Sequence, residues 1–125
     1  MRKNETVESR AFDNNFLRVL TPIMILHLLT VKPMYIYQIS AELSKKSGGR
    51  FEALPLYPVM NRLLNEGYVE ETGQKIVDNR VRNFYGITPA GKNYLKELLA
   101  QLDGTLALLK IILKDHELEE HHGEE

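Results

Sequence analysis

A mainly α-helical fold with one small β-hairpin is predicted by three features of the sequence. Short segments with apolar residues at helical spacing, each bounded by Pro or Gly, fill the first half. A stretch rich in β-formers then alternates around Asp78-Asn79, and a long leucine-rich helical segment follows. The 125 residues suit one domain, and 43% hydrophobic with 26% charged residues is ordinary for a globular chain, which excludes disorder along its whole length. The absence of cysteine excludes disulfide scaffolds, thiolate metal sites and cysteine nucleophiles. Met1 to Arg10 is polar and unlike a signal peptide, and apolar runs such as Ile23 to Leu26 fall far short of the roughly 20 residues of a membrane span, so a cytoplasmic protein without membrane contact is expected.

The net charge of −1 hides an asymmetry. Six of the 17 acids lie at or after Asp115, where there is no Lys or Arg, so residues 1–114 hold 16 bases against 11 acids, a net of +5. The tail, 115–125, reads as a solvated acidic end on a basic body.

The elements follow in order. Residues 1–20 form a polar arm and a short amphipathic segment, with Phe12, Phe16, Leu17 and Leu20 at helical spacing. Thr21-Pro22 has the chemistry of a capped helix start, opening a domain over residues 21–88. Ile23 to Leu29 is apolar all round except for His27, which suits a core or interface histidine. Pro33 separates this helix from one over Met34 to Ser47, stopped by Gly48-Gly49. A third helix starts near Pro55, with Leu56, Met60, Leu63 and Leu64 inward, Tyr57, Asn61, Arg62 and Asn65 outward, and Gly67 as its stop. Tyr68 to Thr72 and Val81 to Thr88 predict the hairpin, with Lys75, Arg80 and Arg82 at its tip. Thr88-Pro89 repeats the helix-start signal, and the last helix is expected over residues 89–114.

Three helices followed by a hairpin with a basic tip describe a winged helix-turn-helix, whose third helix can enter a major groove of double-stranded DNA while the hairpin touches backbone or minor groove. The side chains suit that use. Asn61 can pair with adenine and Arg62 with guanine or a phosphate. Tyr57 can donate to a phosphate from the helix's first turn. Tyr37, Lys45, Lys46, Arg50, Lys75, Arg80 and Arg82 complete the expected DNA-binding set.

Specific motifs strengthen this expectation. Leu56-Tyr57-Pro58, Asn61-Arg62-Leu63 and Glu66-Gly67-Tyr68-Val69-Glu70 resemble a stretch of the PadR-type transcriptional regulators, as does the run from Arg80 to Gly91. With Ser47 to Phe51 added, the resemblance covers roughly residues 20–100. It implies a dimeric DNA-binding regulator, usually a repressor, whose third helix and wing contact an operator and whose C-terminal helix forms much of the dimer. Two places depart from the pattern. Met34-Tyr35-Ile36-Tyr37 lacks the family's His and Gly while keeping its Tyr at Tyr37, and Leu54-Pro55 replaces a Gly-Thr.

On the last helix Leu95, Leu98, Leu102, Leu109 and Ile112 follow 3–4 spacing, and Leu99, Leu106 and Leu113 widen the stripe. One small domain is insufficient to bury it, so a homodimer seam is expected there, with Phe12 and Phe16 contributing. His116 and His121 are five apart, whereas a metalloprotease helix needs four. No phosphate loop or nucleophile elbow occurs, so neither an enzyme nor a cofactor is expected. A small-molecule effector is compatible with this picture, though no residue identifies one. The alternative from another class is a winged-helix module that dimerises and binds protein instead of DNA.

Overall fold

A computed structural model describes the backbone of residues 14–51 and 54–124, and side chains over 15–51 and 54–114. The elements are α1 (Asn14–Leu29), α2 (Ile36–Lys46), α3 (Leu56–Asn65), β1 (Val69–Val77), β2 (Arg80–Ile87) and α4 (Pro89–Glu124). Phe12 lies outside the described residues. The mainly helical winged helix-turn-helix expected from the sequence is the observed fold.

Its first correction concerns Thr21-Pro22. These residues do not open a helix; they lie inside α1, which begins upstream at Asn14. The apolar spacing of Phe16, Leu17 and Leu20 carries the helix across the proline, which removes one backbone donor. Thr21 is fully buried, and its hydroxyl donates to the Leu17 carbonyl at 2.6 Å, so it is satisfied within the helix rather than capping one. His27 lies exposed on this chain and so outside its core, while Ile25, Leu26, Leu28 and Leu29 around it are buried.

Met34 does not belong to the second helix. It makes an isolated antiparallel bridge to Tyr85, with the Met34 N–H donating to the Tyr85 carbonyl at 3.0 Å and the return bond at 2.9 Å. The helix starts only at Ile36, because Met34 and its side chain, 4% exposed, are held against β2. At the far end, the Gly49 and Gly48 N–H groups donate to the Ser44 and Lys45 carbonyls at 2.7 and 3.3 Å, a Schellman stop. α3 ends the same way, through Tyr68 N–H to Leu63 O at 2.9 Å and Gly67 N–H to Leu64 O at 3.1 Å. Gly48 at φ 66° and Gly67 at φ 81° occupy the left-handed position that this stop requires.

The hairpin is longer than expected. Gly73 to Val77 also pair, leaving Asp78 and Asn79 as a two-residue turn with φ of 54° and 64°, the all-positive turn that matches strand twist. A bulge between Glu71 and Gly73 shifts the register. Beyond β2, the helix-start chemistry of Thr88-Pro89 does operate. The Gly91 N–H donates to the Thr88 hydroxyl at 3.0 Å, and that hydroxyl donates to Gly67 O at 2.7 Å, tying α4 to the end of α3. Tyr68 and Tyr94 stack at 4.1 Å beside this cap.

α4 continues to Glu124, ten residues past the expected end at Lys114. At 36 residues it is roughly 54 Å long, beyond the ~30 Å span of a small domain. The chain divides into two compact units, Met1–Leu95 and Lys96–Glu125. Core residues of the first unit include Ile39, Met60, Leu63 and Leu95.

Gly91 packs directly against the Tyr68 carbonyl oxygen, and an added Cβ would fall on that atom and 2.8 Å from Ile87 Cγ1. Gly91→Ala is expected to destabilise the protein by about 1–3 kcal/mol through overpacking. Urea denaturation followed by circular dichroism measures it, and an unchanged midpoint would contradict the close approach.

Candidate nucleic-acid interface

α3 is divided cleanly by burial. Leu56, Val59, Met60 and Leu63 are buried, whereas Tyr57, Asn61, Arg62 and Asn65 are exposed, Tyr57 to 67%. Val59 takes the inward place expected for Leu64, which is only half-buried. Two turns of helix thus hold their polar and aromatic side chains outward while four apolar neighbours fix the helix against the core.

The wing is organised by the Met34–Tyr85 bridge. In this antiparallel register Tyr35 lies opposite Phe84, and the two rings meet edge-on at 5.2 Å and 66°. The Arg82 guanidinium lies 5.1 Å from the Tyr35 ring centre and 5.7 Å from that of Tyr37. Across the hairpin Lys75 pairs in register with Arg82 and places its Nζ 5.0 Å over Phe84. Cations and rings therefore interleave on one face: Lys75 on Phe84, Phe84 against Tyr35, Arg82 on Tyr35 and Tyr37. Each such contact contributes about 0.5–1 kcal/mol where exposed and more where desolvated. The Arg82 Nε and the Gln38 Oε1 are buried and have no hydrogen-bond partner among the described residues.

Two clefts flank this arrangement. One of about 160 Å³ is lined by Tyr35, Tyr37, Tyr57, Arg82 and Asn83 among others, bringing the start of α2, the first turn of α3 and β2 together. The other, about 600 Å³, is bordered by Lys32, Gln38, Thr72, Lys75 and Phe84.

Of the residues expected from sequence, Tyr37, Tyr57 and Arg82 converge on the smaller cleft. Asn61 and Arg62 are exposed on α3, and Arg80 and Lys75 on the hairpin. Lys45, Lys46 and Arg50 are exposed as well, but Lys45 and Lys46 lie at the C-terminal end of α2, roughly 12–14 Å along the helix from Tyr37, and Arg50 lies beyond it. Tyr35, Asn83 and Phe84 were not anticipated. The one sequence signal for them is the alternation Tyr35-Ile36-Tyr37, a strand period at a helix start.

On α4, Leu95 is buried in the first unit, whereas Leu98 and Leu102 are half-buried. In the second unit Leu99, Leu106, Leu109, Ile112 and Leu113 are exposed, and so are Leu108 and Ile111, which the expected stripe omits. Phe16 on α1 is 57% exposed. Among the described residues no His, Asp and Glu group is arranged to hold a metal, and no helix is long and apolar enough to cross a membrane. The side chains of His116, His121 and His122 lie outside the described residues.

The chain is similar to an uncharacterized protein of Lysinibacillus sphaericus, 35% identical over 80 residues that span 62% of this chain and 73% of that one. Among solved structures it is similar to a transcriptional regulator from Clostridium thermocellum, with TM-score 0.70 at 26% identity over 77% of this chain and 95% of the other. A PadR family transcriptional regulator from Eggerthella lenta matches with TM-score 0.61 at 26% identity, over 76% and 82%. Residues 25–97 match the model of the PadR-like family of transcriptional regulators, a family of regulators and not of enzymes. This span, 73 of 125 residues, contains α2, α3, the whole wing and the cap of α4, and the chain belongs to the PadR-like family of transcriptional regulators.

Proposed function

We propose that this protein is a cytoplasmic, sequence-specific DNA-binding repressor that acts as a homodimer on a pseudo-palindromic operator. The observation that carries the DNA-binding part is the convergence of Tyr57 from α3 with Arg82 from the wing at one cleft, beside the exposed Asn61 and Arg62. In this reading α3 enters the major groove, Asn61 and Arg62 meet base edges, and Lys75, Arg80 and Arg82 meet backbone phosphates. Lys45, Lys46 and Arg50 contribute a second, more distant set of phosphate contacts. No observation among the described residues favours an effector.

The homodimer rests on the second unit. Leu106, Leu109 and Leu113 form one row at helical spacing, Leu108 and Ile111 add another, and all are exposed within a single chain. A helix so broadly apolar requires cover from more than one side. Phe16 and the half-buried Leu98 and Leu102 extend the same expectation. A second reading is favoured by one feature: Ile76 and Val81, direct cross-strand partners on the wing, are 75% and 64% exposed, as a protein-binding module would have them. Selection of bound sequences from a random DNA pool separates the two, since a two-fold-related site supports the operator and failure to enrich any site favours the protein partner.

Two quantitative outcomes are expected. Asn61→Ala weakens discrimination at one base pair by about 1–3 kcal/mol and leaves the salt dependence unchanged. The double change Arg80→Ala with Arg82→Ala flattens the slope of log affinity against log salt by nearly 2, at about 0.9 per phosphate, and weakens binding to all sequences alike. Fluorescence anisotropy over a salt series reads both, and a double variant with the wild-type slope would remove the wing from the interface. For assembly, sedimentation is expected to give twice the 14.4 kDa chain mass at micromolar concentration. Leu106→Glu is expected to shift that mass toward one chain, because it would bury an unpaired charge at the seam. A wild-type monomer would contradict the dimer.

A further inference from the structure

We propose that Tyr35 and Tyr37 form an aromatic shelf that holds the Arg82 guanidinium ready for one DNA backbone phosphate, seated in the cleft that Tyr57 and Asn83 help to line. The proposal rests on the DNA-binding reading and adds to it a seat and two positioning residues.

The shelf follows from register. Because Met34 pairs with Tyr85, Tyr35 comes to lie against Phe84, while Tyr37 follows in the first turn of α2, within reach of Arg82 on the same face of β2 as Phe84. Tyr35 is braced by its edge-on contact with Phe84, and Arg82 lies within 5.1 and 5.7 Å of the two tyrosine rings. A guanidinium laid on aromatic faces keeps its full charge, since rings engage it without neutralising it, and its flat fork loses little freedom when it then meets a phosphate. A carboxylate partner would do the opposite. The Arg82 Nε is buried and has no acceptor among the described residues, so the base of the guanidinium is withdrawn from solvent beside the rings.

The cleft has the chemistry of an anion seat. Its lining combines one cation with four tyrosines (Tyr35, Tyr37, Tyr57 and Tyr85), Asn83 and two apolar residues, with no acid. Asn83 has donors to spare: its Oδ1 accepts from the Gln74 Nε2 at 2.8 Å, and neither of its amide hydrogens is used in that bond. A phosphodiester, a monoanion that only accepts hydrogen bonds, matches this set. Three elements meet there, so a phosphate in the seat fixes the spacing between α3 and the wing on the duplex. Arg80 lies on the same face of β2, two residues nearer the turn, exposed and with no ring of the described residues against it. The two arginines are therefore unequal. The place where this chain lacks the family's His and Gly is where Tyr35 supplies the shelf.

The test compares wild type with Tyr35→Phe, Tyr35→Leu, Arg82→Ala and the Tyr35→Leu/Arg82→Ala double variant, using a fluorescein-labelled mixed-sequence duplex titrated over a potassium chloride series. Tyr35→Phe keeps the ring and is expected to retain the wild-type salt slope. Tyr35→Leu is expected to lose about 0.9 of slope, as Arg82→Ala does, and to bind about three- to tenfold more weakly. The double variant should be no worse than either single change. A Tyr35→Leu protein with the wild-type slope, or losses that simply add, would overturn the shelf and leave DNA binding standing. A wild-type protein without salt-dependent binding would overturn both. In the absence of DNA, the Arg82 Nε–H resonance should be ring-current shifted and slow to exchange in wild type and Tyr35→Phe, and ordinary in Tyr35→Leu. An ordinary resonance in the folded wild type would overturn the shelf independently of any binding measurement.

Discussion

The pair of hydrogen bonds between Met34 and Tyr85 is the constraint on which the interface depends. A two-stranded hairpin is marginal by itself, and its direction relative to a helix is not set by its own ladder. By adding two backbone bonds on the far side of β2, Met34 ties the wing to the chain just ahead of α2. Pro33 is suited to precede it, since a residue without an N–H leaves no donor unpaired at the edge. From that single register follow the Tyr35–Phe84 contact, the place of Arg82 over two rings, and the cleft shared with Tyr57.

The rest of the first unit keeps α3 rigid while leaving its outer side free. Leu56, Val59, Met60 and Leu63 are buried together, and the helix is stopped by a backbone motif rather than by a side chain that would occupy the surface. The cap of α4 reaches back to the same corner, because Thr88 bonds the Gly67 carbonyl and Tyr94 stacks on Tyr68. Affinity for a polyanion requires charge held at fixed separations, and an outer surface mounted on a packed core meets that requirement without reorganisation on binding.

Much of this was legible in the sequence, where local chemistry decides the outcome. Gly48 and Gly67 each stop a helix because glycine adopts the left-handed φ without Cβ strain, and Asp78-Asn79 turn the hairpin because Asp and Asn tolerate that region better than other side chains. The outward side of α3 follows from its apolar spacing. The failures arise where two signals compete or where distant chain segments meet. Thr21-Pro22 and Thr88-Pro89 are identical dipeptides, but apolar periodicity continues upstream of the first and a strand precedes the second, so only Thr88 caps. Met34 looks like a helix residue until its partner fifty-one positions away is known. Leu95 follows the leucine spacing of α4 yet is buried in its own unit, and the added apolar row at Leu108 and Ile111 blurs any single seam. The role of Tyr35 is not legible in the sequence because it depends on the strand this residue faces.

The central claim is that α3 and the wing bind DNA as one surface. The most direct measurement is an amide ¹⁵N–¹H titration of the protein with an operator duplex recovered by selection. The account predicts that resonances of Tyr57, Asn61 and Arg62 shift together with those of Arg80, Arg82 and Asn83, with one binding curve for both sets. Shifts confined to one element, or curves with separate midpoints, would contradict it.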